Sequence, residues 1–440
     1  MKRDIYKSLT EWRINPKTKP LLLRGARQVG KSYIINEFGE NEFSNFITIN
    51  FERNPEFKDI FTTFNPFEIK EKIILLTGKD IVIGKTLLFF DEIQECPKAI
   101  TSLRYFHEEM SELHIIGAGS LLEFALKSED VKVPVGRIQY LYMYPLSFAE
   151  FLDAAGESPL RKYIGQLINI ENITTALHDK LIGLVFKYNI IGGMPAVVSE
   201  YIENGNIVVC QKIQRSIIDT YTDDFGKYSK NTQIKYLRKV FYATATMVGQ
   251  KFVYSHVDNS MKSRDLKNAV ELLEQAGIVQ RIKRTNGDGL PLEANVKDNF
   301  FKLLFLDVGL LHSINGIYKE TISTKMIASI FHGAVAEQFV GQELLTIQSV
   351  YTKPALFYWA REAKNSSAEI DYLISHNAEI IPIEVKSGKS EKMISLNMFI
   401  KKYKTKKGIR ISQSTIMKKK NILSVPYYGI RAFFNDGNIN

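Results

Sequence analysis

Two clusters of residue types in this 440-residue chain can do chemistry. The first is Gly25-Ala26-Arg27-Gln28-Val29-Gly30-Lys31-Ser32, a G-x-x-x-x-G-K-S pattern entered from the apolar run Leu21-Leu22-Leu23. The glycines let the backbone turn so tightly that successive N–H groups point inward at an anion. A helix starting at Lys31 adds its positive dipole end to the same spot. Lys31 then reaches the β- and γ-phosphates of a nucleotide, and the Ser32 hydroxyl ligates Mg²⁺. Sixty residues after Lys31, Thr86-Leu87-Leu88-Phe89-Phe90 runs into Asp91-Glu92. A strand buried on both faces delivers Asp91 beside the phosphate loop to hold the metal's water shell, and Glu92 polarises the attacking water. ATP and Mg²⁺ are the expected ligands. A glycine-rich turn that binds nothing and a strand ending in a polar turn are the plainer readings of each motif alone; their order and context argue against both.

The second cluster lies toward the C-terminus. Ala368 to Ile374 and Ile380 to Lys386 read as a hairpin around Ser375-His376-Asn377-Ala378, and a period of two puts Glu384 and Lys386 on one face. With Asp371 beside them the residues form the D-x(12)-E-x-K arrangement of restriction-endonuclease-like nucleases. There the carboxylates of Asp371 and Glu384 bind Mg²⁺, and Lys386 steadies the water or the developing phosphorane charge. Glu337, on an amphipathic helix expected from Ile327 to Leu345, is the additional carboxylate. A surface hairpin held by charge pairs is the alternative, and nuclease-like residues can also merely bind.

These residues need elements to position them. The loop strand, a β-favouring run Phe46–Phe51, the strand ending at Asp91, His114–Ser120 and Ile138–Tyr144 supply five strands with helices between. Ser120, the polar end of the fourth strand, stands where a sensor of the γ-phosphate would sit, or caps the helix LLEFAL. Arg137, just before the fifth, offers a cation that reports on the γ-phosphate in cis or from a neighbouring subunit. Ser147 is placed to cap FAEFL. Residues 160–222 read as helical with a break at Gly192-Gly193-Met194-Pro195. Helices at Ile234–Val248 and Arg264–Gln275, the strand Gly277–Arg284 and a turn at Asn286–Gly289 returning toward Pro291-Leu292 have the order of a winged helix. Asn299–Leu311 reads as a buried strand and helix leading to the last domain.

Composition bounds the rest. Hydrophobic residues at 45% and charged residues at 24% describe an ordinary soluble chain of about three domains. The charged start, the two distant cysteines Cys96 and Cys210, and the absence of an 18-residue uncharged stretch argue for the cytoplasm and against a membrane span. The net charge of +10 is concentrated: residues 381–440 hold 13 Lys/Arg against 3 Asp/Glu, and residues 225–290 hold 12 against 5. Two basic regions are what non-specific DNA contact requires, although solvated lysine surfaces are commoner. Lys262, Arg264 and Lys267 at a helix entry and Arg281, Lys283 and Arg284 on the wing are the candidate phosphate contacts.

A strand between the loop strand and the Asp-Glu strand, with glutamate directly after aspartate, points to the additional-strand branch of P-loop NTPases, which includes the AAA ATPases. The motifs RGARQVGKS, LLFFDEIQ, IIGAGSLLE, VGRIQYLYMYPLSFAEFL, YNIIGGMPAVV and EIDYLI…IIPIEVKSG together resemble the bacterial and archaeal AAA-type ATPases that carry an uncharacterised C-terminal domain. The resemblance covers nearly the entire chain and implies an ATP-binding protein with a small helical lid. The expected fold is α/β: an AAA-like three-layer P-loop domain (1–155), a helical lid (156–224), a winged helix (225–320) and a nuclease-like C-terminal domain (325–440). Two functional classes follow. Either ATP turnover drives or gates DNA handling, with cleavage at the last domain, or the ATPase is a nucleotide-dependent switch that assembles with a protein partner or as an oligomer, and the last domain is an inert docking module.

Overall fold

The five apolar runs of the amino-terminal region form one parallel sheet in a computed structural model that describes residues 1–15, 18–127, 131–167, 173–229, 231–316, 333–362, 368–388 and 393–434. The strands are β1 (Leu21–Arg24), β2 (Asn45–Asn50), β3 (Thr86–Asp91), β4 (His114–Ala118) and β5 (Gln139–Tyr142), in the order β2-β3-β4-β1-β5. β3 and β4 lie inside the sheet, which is why they read as continuous apolar runs. β2 alternates, with Ile47 and Ile49 buried and Thr48 exposed, because it is an edge. The strand interposed between the loop strand and the Asp91 strand in space is β4; the one interposed in sequence, β2, lies at the rim. On one face, helix Pro97–Glu109 buries Ile100, Leu103 and Phe106 in a core with Leu22, Leu88, Phe90 and Ile115.

The chain divides into two compact units: residues 1–145 with 275–277 and 349–353, and the remainder. Helix Phe148–Ala154, expected at the end of the first domain, belongs to the second unit, since Phe148 and Phe151 pack edge-on to Tyr188 with centroids 5.8 and 5.4 Å away. Ser147 caps it as expected: its hydroxyl accepts from Glu150 N, and the Glu150 carboxylate accepts from Ser147 N. Helices Ser158–Gly165, Thr175–Ile191, Pro195–Asn204 and Ile207–Asp223 follow, broken at Gly192-Gly193. Gly193 is obligatory there, because a Cβ would stand 2.1 Å from the Leu146 carbonyl oxygen.

Helices Asn231–Thr246 and Ser263–Gln275 lead into β6 (Val279–Thr285), which pairs antiparallel with β7 (Val296–Phe305). The returning strand is therefore the apolar FFKLLF segment and not Pro291-Leu292. Nor is the hairpin a free wing. β6 pairs parallel with β8 (Leu356–Ala360), and the sheet continues through β9 (Glu369–His376), β10 (Glu379–Val385), β11 (Gly408–Ser412) and β13 (Ile422–Pro426) to the rim strand β12 (Met417–Lys419). The boundary expected between residues 320 and 325 thus separates strands of a single eight-stranded sheet. Helix Ile394–Tyr403 covers one face with Leu396 and Phe399 against Trp359, Ile370 and Leu373. Helix Gly333–Thr346 is fastened by Gln338, whose side chain both donates to the Phe305 carbonyl and accepts from its N–H, so the rim of β7 is capped by a side chain. The start of that helix, expected at Ile327, lies outside the described residues.

Candidate active site

The phosphate loop follows from where β1 ends. Gly25 has φ +153° and a Cβ there would lie 2.3 Å from the Met143 carbonyl oxygen, so no side chain fits. Gly30 at φ +96° starts helix Lys31–Glu42, and Gln28 is also left-handed at φ +63°. The Lys31 ammonium folds back over the loop and donates to the carbonyls of Gly25 and Ala26, both at 2.8 Å. Burial pulls the Lys31 pKa down to about 8, against the opposing pull of Glu92 and Asp91, with Arg27 reinforcing the fall. An anion in the loop would relieve that penalty.

Parallel pairing sets Asn50, Asp91 and Ala118 in one row at the carboxyl edge of the sheet. Ser32 Oγ donates to Asp91 Oδ1 at 3.0 Å, and the Asn50 side-chain amide donates to Oδ2 at 2.9 Å. Burial raises the Asp91 pKa, and these donors oppose it. A hydroxyl and a carboxylate 3.0 Å apart are hard oxygen donors of the kind Mg²⁺ takes, so Ser32 and Asp91 fit the metal the motif implies. Glu92 sits in the left-handed region at φ +48°, strain of about 1–3 kcal/mol that bends the chain straight after β3. Its Oε2 accepts from Gln94 Nε2 at 2.7 Å, Ser120 N at 3.2 Å and Ser120 Oγ at 3.4 Å. Oε1 accepts no hydrogen bond among the described residues.

Gly25 to Ser32, Asp91, Glu92 and Ser120 are therefore brought together. Arg137 is not. β5 runs parallel to β1 with Gln139 opposite Leu21, so Arg137 precedes the strand at the amino edge, a strand length from the loop. Its guanidinium is ion-paired with Glu108 there, which rules out the cis role. Two residues of this site have no local sequence signal that marks them. Asn50 is one. Arg3 is the other: it is buried and donates to the carbonyls of Val29 at 3.0 Å and Tyr144 at 2.6 Å, bracing the loop from behind.

The second cluster forms differently from its expectation. Lys386 Nζ meets Glu384 Oε1 at 2.7 Å, and Asp371 Oδ2 accepts from Val385 N at 2.7 Å, so the hairpin register does bring these residues together. The centre is occupied, however. Lys302 of β7, 1% exposed, lies 3.1 Å from Glu337, 2.5 Å from Glu369 and 3.8 Å from Asp371. Desolvation lifts Glu337 to about 8 and Asp371 to about 6, and the lysine works against both shifts. These residues do not fit the metal expected of them. On the hairpin, Arg281 pairs with Glu274 at 3.4 Å, Lys283 with Asp298 at 3.6 Å and Arg284 with Glu362 at 3.4 Å, so the three cations read as phosphate contacts are tied to carboxylates. Lys262, Arg264 and Lys267 are exposed.

A parallel sheet with a phosphate loop at its carboxyl edge, an interposed strand and an Asp-Glu pair are the features of a P-loop nucleotide-binding domain. Residues 17–152 match the family described as AAA domain, residues 183–321 match a domain of unknown function (DUF8612), and residues 332–428 match another (DUF4143). Among solved structures, a Walker-type ATPase of Pyrococcus abyssi is 17% identical with a TM-score of 0.46, covering 71% of this chain and 95% of that one. The Aeropyrum pernix ORC1 protein in complex with DNA is 12% identical, TM-score 0.28, covering 74% and 92%. The Thermotoga maritima RuvB Holliday junction branch migration motor is 14% identical, TM-score 0.28, covering 64% and 90%. No curated protein matches the chain. No helix among the described residues is long and apolar enough to cross a membrane.

Proposed function

We propose that this chain hydrolyses ATP. The observation that carries the reading is the row at the carboxyl edge of the first sheet: Ser32 and Asp91 bonded to each other, with Glu92 held beside them by Gln94 and Ser120. The N–H groups of residues 25–32 and the Lys31 ammonium receive the phosphates. Ser32 and Asp91 would hold Mg²⁺, whose charge offsets that of the phosphate oxygens when bound. Glu92 orients the attacking water through Oε1 and accepts its proton, while Ser120 fixes the carboxylate rotamer through Oε2. Asn50 keeps Asp91 from turning away. Phosphate release from ATP tests this directly, with Glu92→Gln as the control; a Glu92→Gln protein that turns ATP over at the natural rate would show that the base is misassigned.

For the second unit we propose a binding role. Its partner is nucleic acid, contacted without sequence preference through exposed lysines and arginines at 262–267 and in the basic stretch 381–440, where Lys401, Lys402, Lys418 and Lys420 are solvent-facing. Metal-dependent cleavage at Asp371, Glu384 and Lys386 forms no part of this reading, because Asp371 already faces the Lys302 ammonium and Glu384 is paired with Lys386. Fluorescence anisotropy with a random-sequence duplex at 50–300 mM salt measures it; affinity that does not change with salt, or no binding at the lowest salt, refutes the nucleic-acid partner and leaves a protein partner as the alternative.

A further inference from the structure

Three acidic residues from two elements converge on one atom. Glu337 comes from helix Gly333–Thr346, Glu369 and Asp371 from β9, and the atom is Nζ of Lys302, reaching over from the rim strand β7. The lysine ammonium lies over the ring of Tyr358 on β8, 5.5 Å from its centroid, and the side chain is 1% exposed. The position is built, since helix, rim strand and β9 all have to meet for the four charges to lie together.

A divalent ion shared by Asp371 and Glu384 needs an oxygen of each turned to a common centre at about 2.1 Å. Asp371 instead has Oδ2 engaged by Val385 N, and Oδ1 faces Lys302. Glu384 has Oε1 engaged by Lys386, and its Oε2 is buried without a hydrogen-bond partner. Among the described residues no group of three or more acidic, histidine or cysteine side chains is disposed to hold a metal. An ion carried to Asp371 would also approach a buried ammonium, and like charges in a low-dielectric interior repel far more strongly than in water.

We infer that Lys302 stands in the place of the divalent ion: the second unit neutralises its carboxylates with an internal ammonium and is built to work without a metal there. The inference is independent of whether the first unit hydrolyses ATP.

Manganese titration of the nucleotide-free full chain, followed by electron paramagnetic resonance of the free ion, tests it. The natural protein and its Asp371→Asn variant are expected to give the same curve, whereas Lys302→Met gains one Mn²⁺ per chain that Lys302→Met/Asp371→Asn loses. Thermal melting supplies a second readout: Lys302→Met melts lower than the natural protein and recovers in Mn²⁺, while the natural protein does not respond. A Mn²⁺ held by the natural protein and released by Asp371→Asn or Glu384→Gln overturns the inference, as does a folded Lys302→Met variant that gains no ion. If Lys302→Met does not fold even with Mn²⁺, the comparison of the natural protein with Asp371→Asn decides alone.

Discussion

The side-chain amide of Asn50 holds Oδ2 of Asp91 at 2.9 Å while Ser32 holds Oδ1 at 3.0 Å, so both oxygens of the carboxylate are fixed before any nucleotide arrives. Partners of this sort set the orientation of a metal-binding group, and their loss typically costs about 10–100-fold in metal affinity. Asn50→Ala is expected to raise the Mg²⁺ concentration needed for half-maximal ATPase activity by that factor. Nucleotide binding measured without Mg²⁺ should stay within about twofold of the natural protein.

Glu92 and Lys31 separate hydrolysis from binding. Glu92→Gln should lower kcat by about 10²–10³ and leave the Kd of a fluorescent ATP analogue nearly unchanged, since a positioned base contributes on that scale. Lys31→Ala should remove binding itself. Equal losses of binding in the two variants would contradict the assigned roles.

The pH dependence follows from Lys31, whose pKa burial lowers to about 8. Phosphate beside the ammonium raises that value again, so above pH 8 binding must take up a proton. Affinity for ATP is expected to be flat from pH 6.5 to 7.5 and then to fall, approaching tenfold per unit at about pH 9 and above. The sign for stability is opposite. The free protein has the lysine less readily charged than the unfolded chain does, so the nucleotide-free form gains stability between about pH 8 and 10. Titrations and melts over this range, with and without nucleotide, should diverge; parallel curves would show that Lys31 is not buried in the free protein.

Gly193→Ala probes the second unit. The new methyl would meet the Leu146 carbonyl oxygen at 2.1 Å, and the neighbouring bond from Gly193 N to Asp307 at 2.6 Å would be strained with it. A loss of about 3 kcal/mol is expected by chemical denaturation, as for other backbone-proximal overpacking. Gly165→Ala, where a Cβ meets nothing within 4 Å, is the control and should be neutral or slightly stabilising.

Replacing Lys262, Arg264 and Lys267 by glutamine should weaken duplex binding evenly across sequences and reduce the salt slope by about one per lost phosphate contact. Replacing Arg281, Lys283 and Arg284 should change the slope little, because each has a carboxylate within 4 Å and the two arginines are mostly buried, whereas Arg264, although 3.9 Å from Asp265, is almost fully exposed. The reverse ranking would return the hairpin to the role first expected of it.

What could be read from the sequence was local. The loop residues 25–32 need no distant partner to declare themselves, and the buried runs around Phe89 and Ile115 declare a sheet interior. Ser147 caps its helix as its position suggests, and the structure adds the reciprocal bond of Glu150. What depended on strand direction or on long-range pairing was not legible. Arg137 precedes a strand and reads as close to the loop, but the parallel pairing of Gln139 with Leu21 puts it at the other edge. Asn50 lay at the end of a strand whose register with Asp91 only the sheet reveals. Lys302 was hidden for the same reason. Nothing local joins an apolar FFKLLF run to Asp371 until β6 pairs with β8, across a gap of about seventy residues.

That pairing constrains how the protein can be divided. A fragment starting at Gly333 would retain every residue of the D-x(12)-E-x-K pattern yet lose β6 and β7, baring the backbone of β8 along one side and stranding Glu337, Glu369 and Asp371 without their lysine. Such a piece would seek a replacement strand from another chain. A cut between the two uncharacterised regions is therefore expected to leave neither half of the sheet intact, although two family descriptions divide it there.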